Sequence, residues 1–162
     1  MPRQLLRDRQ LVEDDWRYAE ESGADSPAAA AVIVSFDQWR TGRDAWRARG
    51  GRVGVVLLPE HKVEQLAPDL PHIALVACRF PGPADGRGYT QARLLRERHA
   101  FQGELRAFGY VRLDQLFFLA RCGFNSFELP EHEMAAAPEA FRTFSAAYQA
   151  ANDAGLASQL RS

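Results

Sequence analysis

Lysine is almost absent from this 162-residue sequence, with Lys62 alone against nineteen arginines. Cysteine is nearly as scarce. Cys78 and Cys122 are the only two, too far apart in sequence for a redox pair or a metal knuckle, which implies a reducing compartment. No stretch approaches the ~20 apolar residues of a membrane helix, and the charged opening Met1–Arg9 is followed by no apolar run. A cytoplasmic location without membrane attachment is therefore expected. Neither sign of charge dominates: the formal net charge is -1, which removes the general electrostatic reason to bind nucleic acid. The four histidines, His61, His72, His99 and His132, match no metal-ligand spacing, and His132 between two glutamates reads as a solvated turn, so no metal is expected.

What is present suits one globular domain. A chain of this length hides roughly 70% of its unfolded surface, enough for a core without disulfides or metal. The sequence is 46% hydrophobic and 25% charged, an ordinary balance. The opening segment through Leu11–Tyr18 breaks short apolar islands with charges and reads as an extended arm or hairpin. Ser22–Pro27 is turn chemistry, placing the expected boundary between an arm at 1–27 and a single α/β domain at 28–162.

From there strands and helices alternate. Ala31–Val34 is a β-rich run, and Ser35 with Gln38 has capping-box spacing for a helix carrying Phe36, Trp39 and Trp46. Gly50-Gly51 ends that helix, and the continuous apolar run Val53–Leu58 reads as a strand covered on both faces. A short helix with Val63 and Leu66, a strand at Ile73–Cys78, and a helix with Ala92, Leu94, Leu95 and Phe101 follow. Leu105–Phe108 reads as a strand, Leu113–Cys122 as a helix, Phe124–Leu129 as a strand, and the run from Ala140 to Tyr148 as a closing amphipathic helix. Repeated strand-helix units imply a mostly parallel sheet of about five strands, as an open sheet or a partial (β/α) barrel.

In such a sheet, ligands bind beyond the carboxyl ends of the strands. The longest irregular connection, Arg79–Thr90, leaves one of those ends and precedes a helix. Within it, Gly86 and Gly88 permit close backbone approach, Asp85 can cap the turn, Arg87 and Arg93 offer paired donors, Tyr89 offers a hydroxyl or a stacking face, and Thr90 can cap or contact a ligand. An anion site and a tight structural turn are both consistent with these residues. Asp114, one turn into a later helix on the same edge, is the acid in reach; it can pair with a loop arginine, act as an acid or base, or simply favour the helix dipole. Cys122 stands at a helix end, the wrong end for a low-pKa thiol.

Two stretches carry a family resemblance: Asp85-Gly86-Arg87-Gly88-Tyr89-Thr90-Gln91-Ala92-Arg93-Leu94-Leu95-Arg96-Glu97-Arg98, and Gly103–Ala107 continuing to Asp114–Phe118 and Arg121–Phe124. They resemble an uncharacterised bacterial family whose members are described as oxidoreductases involved in sulfite reduction, because their genes neighbour that of assimilatory sulfite reductase. Asp85, Arg87, Tyr89, Arg93 and Asp114 match its pattern. Tyr110 stands where the family usually has an aspartate, Arg112 is shifted by one position, Asn125 replaces an aspartate and Pro83 an aromatic residue.

The resemblance implies an accessory protein or oxidoreductase of assimilatory sulfite reduction, with Asp85–Thr90 holding an oxyanion such as sulfite or a phosphate group. Arg87 and Arg93 would bind the anion, Tyr89 would orient it and Asp114 would position an arginine. No flavin, haem, iron–sulfur or nicotinamide signature is visible, so the cofactor stays open. The alternative is a non-catalytic partner docking onto sulfite reductase or another sulfur-assimilation enzyme. It would use the arginine-rich stretch 87–121 or the aromatic pair Trp16 and Tyr18.

Overall fold

A computed structural model describes residues 3–19 and 30–143. The first strands, β1 (Gln4–Arg7) and β2 (Gln10–Glu13), form an antiparallel hairpin. Asp8 and Arg9 make its two-residue turn in left-handed conformations, with φ of 51° and 68°, the geometry that matches the twist of the flanking strands. Then come β3 (Arg17–Tyr18), β4 (Ala31–Val34), β5 (Arg52–Leu57), β6 (Leu75–Phe80), β7 (Glu104–Gly109) and β8 (Ser126–Phe127). All eight lie in one sheet, ordered β2-β1-β8-β7-β6-β5-β4-β3. β3 to β8 pair in parallel, and the hairpin joins antiparallel to β8.

The sheet is thus mixed and eight-stranded, a correction to the mostly parallel five-stranded expectation. The five strands read from apolar runs correspond to β4–β8. The other three escape that reading because the hairpin alternates apolar with charged residues and β3 is only two residues long. The turn expected at Ser22–Pro27 lies outside the described residues, as does the closing helix beyond residue 143; residues 137–143 are helical.

Chain connectivity forces the sheet to curl. β2 and β3 are its opposite edges, yet only Asp14, Asp15 and Trp16 join them. Four Cα steps span at most about 14 Å, whereas eight flat strands would separate the edges by roughly 34 Å at ~4.8 Å per spacing. The result is an open, curled sheet, a half-barrel.

Its two faces differ in chemistry. Val34, Val55, Leu57, Val76, Cys78, Leu105 and Phe127 point outward into the main core. The helices covering that face are α1 (Phe36–Thr41), α2 (Arg43–Ala48), α3 (Val63–Leu66), α4 (Arg87–Arg93), α5 (Leu116–Cys122) and α6 (Glu131–Met134). The predicted capping box forms at α1: Ser35 Oγ accepts from the Gln38 amide, and Gln38 Oε1 accepts from the Ser35 amide. Trp39 of α1 is fully buried, and its indole N–H donates to Asp69 at 3.0 Å.

The inner face carries a smaller apolar cluster of Trp16, Ala31, Ile33, Leu75 and Ala77. Beside it, Arg106 on β7 is completely buried. Its guanidinium donates to Asp14 at 2.9 and 3.0 Å, to Glu104 at 3.0 Å and to Glu128 at 3.2 Å. Burial alone would lower the Arg106 pKa, but the Asp14 hydrogen bonds and the charges of Asp14, Glu128 and Glu104 outweigh it, holding the value above the ordinary one. Arg3 lies 3.7 Å from both Asp14 and Glu128, Arg7 pairs with Asp15 and Glu104, and Arg52 pairs with Asp15, so a charge-balanced network ties the N-terminal segment to β5, β7 and the end of β8.

Candidate functional site

The carboxyl ends of β3 to β7 open on one rim of the half-barrel, where α/β sheets bind ligands. A cavity of about 350 Å³ lies there, lined among others by Tyr18, Ser35, Asp37, His61, Arg79 and Phe108. β6 runs two residues past its expected end at Cys78. That extension puts Arg79 on the inner face, in register with Phe108. Arg79 is exposed in the mouth and has no hydrogen-bond or ion-pair partner among the described residues.

Across the mouth, His61 stacks on Phe36 with ring centroids 4.2 Å apart. Its Nδ1 accepts the Leu58 amide at 3.0 Å, which in the neutral ring leaves Nε2–H as the donor. Tyr18 donates its hydroxyl to Glu128, linking the mouth to the Arg106 network below. Burial first, and the Glu128 charge second, push the Tyr18 phenol far above its usual range. It is a fixed neutral donor and not a base.

The sequence-predicted residues occupy the neighbouring loop and its helix. Asp85 accepts from the Arg87 amide at 3.1 Å and from the Arg87 side chain at 3.0 and 2.6 Å. This pairing holds the Asp85 carboxyl below its usual range and occupies the Arg87 fork. Gly86 starts α4 with room around it, whereas a Cβ on Gly88 would lie 2.5 Å from the buried Phe80 ring. Tyr89 is half-buried between Phe80 and Phe118, at 5.1 and 5.0 Å, and burial raises its phenol, with smaller contributions from Cys122 and Asp114. Thr90 is exposed beside Arg87 in a shallow groove against Pro59 and Lys62. Arg93 is exposed and unpaired among the described residues. Asp114 lies in a separate groove with Tyr110, Arg112 and Glu133, and pairs with neither Arg87 nor Arg93 among the described residues. Asp85 and Arg87 are therefore brought into contact, and Tyr89 near Asp114; Arg93 stands apart.

Part of each docking feature is engaged within the protein, while Arg93, Arg98 and Arg121 of the arginine-rich stretch are exposed. Trp16 is only 2% exposed. Within the arginine-rich stretch, Arg106 is buried and Arg96 donates to the carbonyls of Gly123, Phe101 and Gly103 at 2.9, 2.6 and 2.9 Å. Asn125, a departure from the family pattern, accepts from the Leu105 amide and so ties β7 to the start of β8. Among the described residues no group of three His, Cys, Asp or Glu side chains can hold a metal ion, and no helix is long and apolar enough to cross a membrane.

Nothing local in the sequence marks Arg79, His61 or Arg106 as site residues, and Tyr18 stands out there only as half of an aromatic docking pair. Arg79 fell in a loop by the strand boundary read from apolar residues. Glu104, Arg106 and Phe108 alternate with Leu105 and Ala107, the one signal that places charge on the inner face.

Fold and rim define an α/β half-barrel protein with a ligand-sized mouth at the carboxyl edge of its parallel strands. A family model described as "Bacterial protein of unknown function (DUF934)" matches residues 54–158, and the chain belongs to that family. The match spans β5 to β8 and starts after the hairpin, β3 and β4. No curated protein matches the chain.

Proposed function

We propose that this protein is an anion-binding accessory of assimilatory sulfite reduction, holding an oxyanion group, free or carried on a larger molecule, in the half-barrel mouth. The observation that carries the anion reading is Arg79, a planar fork of donors left unpaired at the carboxyl edge of a parallel sheet. The Asp85–Thr90 loop is less suited to hold it, because Asp85 already fills Arg87. The sulfur role rests on the resemblance carried by Asp85–Arg98 and Gly103–Phe124.

The test is growth on sulfate as sole sulfur source by a strain lacking the gene, complemented with wild type, Arg79→Ala or Arg87→Ala. The expected result is a growth defect relieved by cysteine, restored by wild type and Arg87→Ala but not by Arg79→Ala. Normal growth of the deletion strain overturns the sulfur role. Rescue by Arg79→Ala together with failure of Arg87→Ala returns the site to the loop. A redox step would require an electron carrier supplied by a partner or cofactor, and the same strain, assayed for sulfite accumulation, locates the block.

A further inference from the structure

We propose that the half-barrel mouth takes an anion borne on a flat apolar body, an aromatic sulfonate, phosphate monoester or carboxylate, in preference to a free oxyanion. The inference rests on the anion reading above and names its ligand class.

Three observations combine. The first is size. On the scale where a water occupies ~30 Å³, a free sulfite fills roughly twice that, a small part of the 350 Å³ present. The volume falls in the range of small-molecule pockets.

The second is the chemistry of the walls. Ile33, Val56 and Leu58 supply apolar lining. The stacked Phe36–His61 pair forms part of one side, and Phe108, packed on Tyr18 at 5.8 Å, part of another. A small hydrated ion gains nothing from such surfaces, because they offer no hydrogen bonds in exchange for its water. A ring gains area and aromatic contact from them.

The third is the distribution of charge. Arg79 is the last residue but one of β6, and Asp37 lies in the first turn of α1, which follows β4 after Ser35. The two strands flank β5, so their backbones stand two strand spacings apart, roughly 10 Å. A one- or two-ring body spans that distance, with its anionic group on Arg79. Asp37 and the Ser35 hydroxyl then face the other end and favour a hydrogen-bond donor there. The carboxylate also disfavours a second negative charge on that end.

The experiment is calorimetric titration of the full chain with matched pairs. Methanesulfonate is compared with naphthalene-2-sulfonate, inorganic phosphate with phenyl phosphate, and acetate with benzoate, each also against Arg79→Gln and Phe108→Leu. The expected result is that each aromatic member binds about tenfold or more tightly than its small partner. Arg79→Gln should remove most of the affinity of both members. Phe108→Leu should weaken the aromatic member alone. The ranking among the three aromatic anions identifies the head group. Equal affinities within every pair, with Arg79 dependence intact, overturn this inference and leave the anion reading standing. Aromatic binding unchanged in both variants overturns it as well, by placing the ligand elsewhere. Absence of binding by all six compounds overturns both. Thermal denaturation of each variant confirms that the fold persists, and Phe108→Tyr, which keeps the ring, should restore aromatic affinity.

Discussion

Arg106 and Asp14 hold one another by two hydrogen bonds, 2.9 and 3.0 Å long, across 92 positions of sequence, with 0% and 1% of their side chains exposed. Removing the cation deprives Asp14 of its two short hydrogen bonds and leaves Asp14 and Glu128 with Arg3 at 3.7 Å, and Glu104 with Arg7 at 3.3 Å, as their remaining cations. Arg106→Leu is therefore expected to cost about 3–5 kcal/mol. Asp14→Asn should cost less, since Arg106 keeps Glu104 and Glu128. Urea unfolding of both variants checks the order; equal losses would mean that Asp14 alone matters to the arginine.

The acid limb of stability should depend on Arg52. Its hydrogen bond, first among the causes, holds the Asp15 carboxyl below the ordinary value of 3.8. A depressed acid contributes stability that is complete above its unfolded-state value and disappears as pH falls through the folded-state one. Thermal midpoints of wild type should thus decline below pH 3.8, and Arg52→Ala should show a shallower decline. Asp15 is about half exposed, so the difference is modest and shrinks with added salt. Parallel acid limbs in the two proteins would contradict the pairing.

The two loop glycines should separate sharply. Alanine at Gly86 meets only the edge of Tyr89 at 3.5 Å, an ordinary contact, and is expected to be nearly neutral. At Gly88 the new methyl would sit 2.5 to 3.0 Å from three atoms of the buried Phe80 ring. Overpacking of that kind costs about 1–3 kcal/mol. Chemical denaturation of the two variants decides, and a neutral Gly88→Ala would show that Phe80 has room to move.

Both thiols should be silent in the native protein. Cys78 and Cys122 are buried, and burial pushes the Cys78 thiol up to about 12. Thiolate is the reactive form, so a disulfide reagent should label neither cysteine at neutral pH until denaturant is added. Rapid labelling of one equivalent in the native state would contradict the packing around the outward face of β6.

Much of the fold was legible in the sequence because it obeys simple periodicities. Continuous apolar runs mark β4 to β7, and Ser35 with Gln38 announces the start of α1. The opening segment was legible as an extended arm or hairpin, and it forms the hairpin of β1 and β2. Its place in the sheet was not, because pairing of Leu6 with Phe127 is a long-range matter that local pattern does not encode. At the site, the sequence directed attention to the carboxyl edge of the parallel strands and to glycines that stand out there. What it lacked was register. Arg79 belongs to a strand that continues past its apolar stretch, and only the alignment with Phe108 turns it toward the mouth. Arg87 stands out in sequence for the same reason that Asp85 engages it, since both lie in one short turn.

The three-residue link from β2 to β3 sets an order of events during synthesis. The N-terminal segment leaves the ribosome first, yet Tyr18 must wait for Glu128, 110 positions later. At ~5–20 residues per second that interval is roughly 5 to 20 seconds. Throughout it Leu5, Leu6 and Trp16, all buried in the finished protein, have no completed sheet to cover them. Burial of these three side chains is thus a late event, completed only when β8 and the residue that follows it have joined the sheet.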